Sequence, residues 1–237
     1  MRAKFRHGLC FLIVVCLLKP APAHAEQFAV GRAYAVGSSS PLYTEEHRWD
    51  EHHDSVRYRW PDGRIFATTD VDFSHSFISP AYILKYLATG MDSGARWAGS
   101  KLILFHDRRE ATVDYAKPLV INAGFLFFVR AHWDDLLSGK TAGFDFAVPN
   151  RLTTVTLQVR RVSAAESDII GGDPTWHYFQ VEAASPMLRA VMKPLSFAFD
   201  ARRRLMVFRG ASNVKVENGE TPQVLIRYEY QNNPEPS

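Results

Sequence analysis

The run Glu45-Glu46-His47-Arg48-Trp49-Asp50-Glu51-His52-His53-Asp54 packs three imidazoles and five carboxylates into ten residues. Imidazole and carboxylate are the donors that zinc and other divalent ions take in proteins, which makes His47, His52 and His53 the candidate metal ligands. Their spacing does not follow H-E-x-x-H, and no cysteine accompanies them. The same run therefore also reads as a hydrated connection between a strand ending near Trp49 and another starting near Ser55. Asp134 and Asp135 form a second carboxylate pair, able to work as acid and base if they face a cleft, or to pair with Arg130 or Lys140. Nucleophile motifs such as G-x-S-x-G are absent. Gly171-Gly172-Asp173-Pro174 lacks the strand and helix context of a phosphate loop. Arg202-Arg203-Arg204, following Asp200, reads as a hairpin tip facing water. No catalytic residue is singled out and no cofactor is implied.

A second kind of chemistry is apolar recognition. Aromatic side chains recur at alternating strand positions and along one helical stripe. Tyr82, Tyr86, Phe105, Phe125, Phe128, Trp133, Phe144 and Phe146 are the candidates to line a cavity for a hydrophobic ligand, if the sheet that carries them bends into a half-open barrel that its own side chains do not fill. Close packing of these residues as ordinary core is the competing reading.

The elements that would position these groups are mainly strands. Alternation of period two runs through most of the chain, as in Val56, Tyr58 and Trp60 against Ser55, Arg57 and Arg59. Trp60-Pro61-Asp62-Gly63 supplies a turn, since proline presets φ and glycine tolerates positive φ. Further strands are expected at 42–49, 64–73, 81–87, 101–106, 110–115, 141–148, 152–162, 176–183, 195–199, 204–208, 213–217 and 223–230, with a hairpin turn at Asn218-Gly219. One segment breaks the period: Phe125, Phe128, Val129, Trp133, Leu136 and Leu137 recur at three and four, predicting one amphipathic helix over 123–137, capped by Asn122 and closed by Gly139. That placement puts Asp134 and Asp135 in a last helical turn, where the macrodipole disfavours anions. A short second helix is expected over 186–192, with Ser185 as cap and Pro186 at the first position. The expected architecture is mainly β, an α+β fold: a large curved antiparallel sheet or half-open barrel with the long helix on its concave face.

Length and charge narrow the class. Residues 1–25 carry a basic start, the apolar run 9–18 and Ala23-His24-Ala25, the pattern of a secretory signal peptide cleaved near Ala25. Removing them takes four bases and no acid, so 28 Lys+Arg against 25 Asp+Glu becomes 24 against 25. A clustered basic excess is lost, and with it the footprint expected of nucleic-acid binding. Cys10 and Cys16 leave with the signal, so no disulfide or thiolate is expected in the exported chain. A single β-rich domain over 26–230 and a disordered tail over 231–237 complete the expected organisation. No transmembrane segment is expected, and the protein is placed in the periplasm or outside the cell.

Several short stretches carry a resemblance: Tyr43-Thr44-Glu45-Glu46-His47, Trp60-Pro61-Asp62-Gly63, the helix entry Asn122-Ala123-Gly124-Phe125, and Arg204-Leu205 followed by Gly210-Ala211-Ser212-Asn213. Together they resemble a family of exported bacterial proteins of unknown function. A bent antiparallel sheet with helices in its mouth is similar to the periplasmic lipoprotein-carrier fold, whose members shield acyl chains, although the helix order differs. The resemblance implies no catalytic residues. It leaves three expectations: non-enzymatic binding of a lipid-like or apolar small molecule, a metal-assisted hydrolase using the histidines, or a cell-envelope interaction module with a protein partner.

Overall fold

The computed structural model describes residues 27–114, 117–217 and 219–231. The expected signal peptide, the two cysteines, Asn218 and the tail from 232 onward lie outside the described residues.

Fifteen strands form one sheet: β1 (Gln27–Ala35), β2 (Pro41–Trp49), β3 (His53–Arg59), β4 (Ile65–Asp72), β5 (Ala81–Tyr86), β6 (Asp92–Ala98), β7 (Lys101–His106), β8 (Arg109–Val113), β9 (Leu119–Val120), β10 (Ala142–Val148), β11 (Thr153–Val162), β12 (His177–Ala183), β13 (Leu195–Phe199), β14 (Leu205–Ala211) and β15 (Gln223–Gln231). Their order is β8-β7-β6-β5-β4-β3-β2-β1-β15-β14-β13-β12-β11-β10-β9. Sequence neighbours pair antiparallel, except that β9 lies parallel to β10 and that β8 and β9 do not pair but form the two edges. The first and last strands pair in the middle, Gly31 opposite Tyr228, so two meandering wings spread from a seam that joins the chain's ends. The sheet is mostly β by content and is not closed into a barrel.

One face of the sheet folds in upon itself. Ala95, Leu102 and Leu104 of β6 and β7 pack with Leu119, Ile121 and Ala147 from the opposite wing in one buried cluster. The two edges thus meet through side chains instead of a hydrogen-bonded ladder, and that face is the inner one. Ser79 Oγ donates to the Leu119 carbonyl and Trp97 Nε1 to the Ser79 carbonyl, tying the β4–β5 connection to the far wing.

The helical segment covers this inner face, but as two pieces, α1 (Gly124–Ala131) and α2 (Trp133–Leu137), broken at His132 with φ −102° and ψ 15°. His132 Nδ1 binds back to the Phe128 carbonyl, competing with the regular ladder at the break. Phe125, Phe128, Trp133 and Leu136 bury against Phe144, Leu157, Phe179, Phe197 and Phe199, each contributing ~1.5 to 3 kcal/mol gross. Asn122 does not cap the helix by its side chain; it adopts a left-handed φ of 46° and Ala123 takes the cap position. Gly139 does end the segment, with φ 90° and its N–H on the Leu136 carbonyl. The break moves Asp134 and Asp135 into a first turn, where the dipole favours them. Asp135 pairs with Lys140 at 2.7 Å. The third helix, α3 (Pro186–Arg189), is shorter than expected.

The expected strand over 213–217 is instead a hook. Val214 is fully buried on the inner face, Asn213 Nδ2 donates to Tyr58 Oη at 2.9 Å and the Lys215 N–H to Tyr86 Oη at 2.8 Å. The outer face of β11–β14 is covered by the connection 163–176, with Ile169 packed on Tyr178, Ala198 and Val207. No helix among the described residues is long and apolar enough to cross a membrane.

Candidate functional site

Alternation along β2 directs Tyr43, Glu45, His47 and Trp49 to the inner face, and along β3 it directs Asp54, Val56 and Tyr58 there too, because Trp49 pairs with Asp54 and His47 with Val56. Across the seam β1 offers only Ala29, Gly31 and Ala33. This stripe of small residues leaves room for Tyr228 of β15, whose ring sits where a Cβ on Gly31 would fall, 2.7 Å from Cε1.

His47 is held from both sides. Its Nδ1 lies 3.2 Å from Asp54 Oδ2 and its Nε2 3.4 Å from Glu45 Oε2, and the Tyr228 hydroxyl donates to Glu45 Oε2 at 2.9 Å. Burial opposes charge on the ring, yet the two carboxylates outweigh it and raise His47 to about 10. Burial, reinforced by Glu45, pushes the Tyr228 phenol well above its ordinary range, so it stays protonated and donates. The floor is thus one imidazolium between two carboxylates. Asp54 is 9% exposed and its Oδ1 has no hydrogen-bond partner among the described residues, a condition that costs ~1 to 3 kcal/mol.

Two groups of aromatic side chains stand by this floor, one on β2 and β15 and one between α1 and the β4–β5 connection. Trp49 meets Tyr230 edge-on at 6.1 Å. The Arg130 charge acts on Tyr230, and its guanidinium stands 5.5 Å over the Phe127 ring of α1. Phe127 packs on Phe73 at 5.1 Å and on Phe77 at 5.0 Å. Phe73 lies two residues beyond Val71, the cross-strand partner of Asp54, and so returns to the floor. Phe77 is 42% exposed and sits beside His52. The site is a polar floor under an aromatic rim at the seam between α1 and the sheet.

The sequence-predicted groups reach this region unevenly. His47 is in the floor with 21% of its side chain exposed. His52 stays in the exposed turn and His53 opens β3 exposed, on the face opposite to Asp54, so the three histidines are not brought together, and no metal-holding group of three or more His, Cys, Asp or Glu is found among the described residues. Phe125, Phe128, Trp133 and Phe144 are buried between helix and sheet, with Phe146 at their margin. Tyr82 and Tyr86 sit on the inner face of β5 and pack against the cluster around Tyr43 and Tyr58. Phe105 stands apart: it pairs with Gly94 and alternates with Leu102 and Leu104, which places it on the opposite face. Glu45, Asp54, Phe73, Phe77, Phe127, Tyr228 and Tyr230 were not singled out. The signal for Glu45 and Asp54 was parity with Tyr43 and Tyr58, whereas nothing local marks the meeting of Phe127 with Phe73 and Phe77.

Fold and site define a class: a mainly β protein on one long, inwardly curled antiparallel sheet, with helices on its inner face and a polar floor at one mouth. No family model matches the chain, and no curated protein matches it. Among solved structures, it is similar to a β-barrel-like protein of domain of unknown function DUF1849 from Brucella abortus, at a TM-score of 0.47 and 10% identity over 87% of this chain and 95% of that one.

Proposed function

We propose that this is an exported, non-enzymatic binding protein of the periplasm or the cell exterior. It holds a lipid-like or otherwise apolar molecule on the inner face of its sheet, with the molecule's polar end toward the floor of Glu45, His47, Asp54 and Tyr228. The observation that carries this reading is the Phe73–Phe77–Phe127 cluster. Phe77, 42% exposed, and the half-buried Phe127 present aromatic surface to water over the buried Phe73, which shares the floor's face of the sheet, the pairing of apolar wall and a few placed polar atoms that small-molecule sites use. A hydroxyl or ammonium on the ligand would give Asp54 Oδ1 the donor it lacks, after a turn of that side chain. The hydrolase alternative has less support, because both ring nitrogens of His47 already face carboxylates.

Titration with a fluorescent dodecanoic acid analogue tests the reading. Saturable binding of about one equivalent is expected, weakened about tenfold by Phe77→Asp, since one half-exposed ring contributes on that order. Phe77 is exposed enough that the fold tolerates the change. Absence of saturable binding, or binding indifferent to Phe77→Asp, overturns it.

A further inference from the structure

The opposite end of the sheet carries a surface that the binding site does not use. Strands β11 and β13 begin there and β10 and β12 end there, so the β10–β11 and β12–β13 connections are neighbours. The latter contains α3 and its continuation to Met192. Met187 is 82% exposed and Val191 80%, with Leu188 beside them. These side chains do not simply dangle. Arg189 fastens the turn from below, its Nε donating to the Ala183 carbonyl at 3.1 Å and its Nη2 to the Ala184 carbonyl at 3.2 Å, with Glu182 3.5 Å from Nη1. Met192 packs inward on the main core. The backbone is closed by hydrogen bonds from the Arg189 N–H to the Ser185 carbonyl and from the Met192 N–H to the Leu188 carbonyl. A short turn anchored at two points therefore holds three large apolar side chains out in water.

The turn itself and the connection on one side of it carry bases and no acid, while the β14–β15 connection on the other side holds Lys215 with Glu217 and Glu220. Segment 184–194 holds Arg189 and Lys193 and no acid, and the neighbouring connection, the 3-10 turn Pro149–Arg151 and Leu152, adds exposed Arg151 and again no acid. Glu182, at the end of β12, is largely buried and committed to Arg189, Arg160 and Gln158. Outside residues 1–25 the chain has 24 bases against 25 acids, so this basic, apolar corner is a local departure from the balance. Apolar side chains that insert at the headgroup level, flanked by Lys and Arg, are what an anionic bilayer surface recognises.

We infer that the β12–β13 connection, through Met187, Leu188, Val191 and Lys193, docks this protein peripherally on an anionic phospholipid bilayer. This stands independently of the ligand reading, because it concerns the other end of the sheet.

Flotation of the exported chain with vesicles tests it, comparing vesicles of 30% phosphatidylglycerol in phosphatidylcholine with phosphatidylcholine alone. Binding to the anionic vesicles is expected and should fall with added salt. Lys193→Glu should weaken it about fivefold or more, and Met187→Ser with Val191→Ser about tenfold, on the usual worth of one surface charge and two inserted side chains. These positions are exposed, so an unchanged melting temperature should accompany the loss. No flotation with either vesicle overturns the inference, as does flotation that ignores these substitutions. A concentration-dependent dimer that both variants dissolve would overturn it in favour of a second copy of this chain as the occupant. Dodecanoic acid binding by the same variants should stay at the wild-type level, which separates failure here from failure of the ligand reading.

Discussion

His47 carries a charge inside the inner face because two carboxylates are aimed at it, and that makes its contribution to stability dependent on pH. Its folded value, about 10, lies above the ~6.5 of a free imidazole. The stabilisation is therefore complete below about pH 6.5 and is lost as pH rises through the folded value. His106 and His177, lowered by burial, act at the acid side, and Tyr230, raised mainly by burial to about 12, acts on the alkaline side of that window. Between pH 7 and 10 the unfolding free energy of the wild type, read by urea titration, should fall by on the order of a few kcal/mol in total, and His47→Gln should start lower and show a much flatter profile. Parallel profiles for the two proteins would show that the ring is not held charged. Close by, Gly31 owes its place to the Tyr228 ring. Gly31→Val should cost ~1 to 3 kcal/mol in chemical denaturation through overpacking, and Tyr228→Ala in the same chain should recover part of it; a neutral Gly31→Val would mean that the ring has other room.

At the scale of elements, the helix break at His132 places Trp133 at the start of α2, against Phe179 at 5.2 Å and under the Arg203 guanidinium at 5.2 Å. Trp133→Ala should lower stability by ~3 to 5 kcal/mol, read as a drop in melting temperature with the transition still cooperative. A shift of only a degree or two would contradict the buried position. How much of this was legible follows from the residues. Strands with large alternating side chains, such as 195–199 and 223–230, stand where alternation puts them. β1 and β6 do not advertise themselves, because the inner positions of β1 are Ala29, Gly31 and Ala33, and those of β6 are Ser93 and Ala95 before the single large Trp97, too few large side chains to make a hydrophobic rhythm. The hook over 213–217 alternates like a strand, yet Tyr58 and Tyr86 claim its polar groups and draw it across the sheet. The stripe of 123–137 was visible as a helix; the break was not, since it depends on a His132 side chain turning back to its own helix. In the floor, the dense polar run was visible but its meaning was divided: parity sends Glu45, His47 and Asp54 inward, while His52 stays in the turn and His53 points outward at the start of β3.

At the scale of the whole molecule, the sheet separates two ends with different surfaces. One end gathers the polar floor and its aromatic rim under α1; the other carries the basic, apolar turn of α3. The first end is the one proposed to accommodate an amphiphile against the inner face. Solvent extraction and mass spectrometry of the protein produced in bacteria and purified without detergent, alongside Phe127→Asp and Phe77→Asp, decide this. About one recurring amphiphile per wild-type chain is expected, with a several-fold loss of it in both variants, each still folded by circular dichroism. A clean extract from the wild type, with no saturable uptake of dodecanoic acid on reloading, would contradict it.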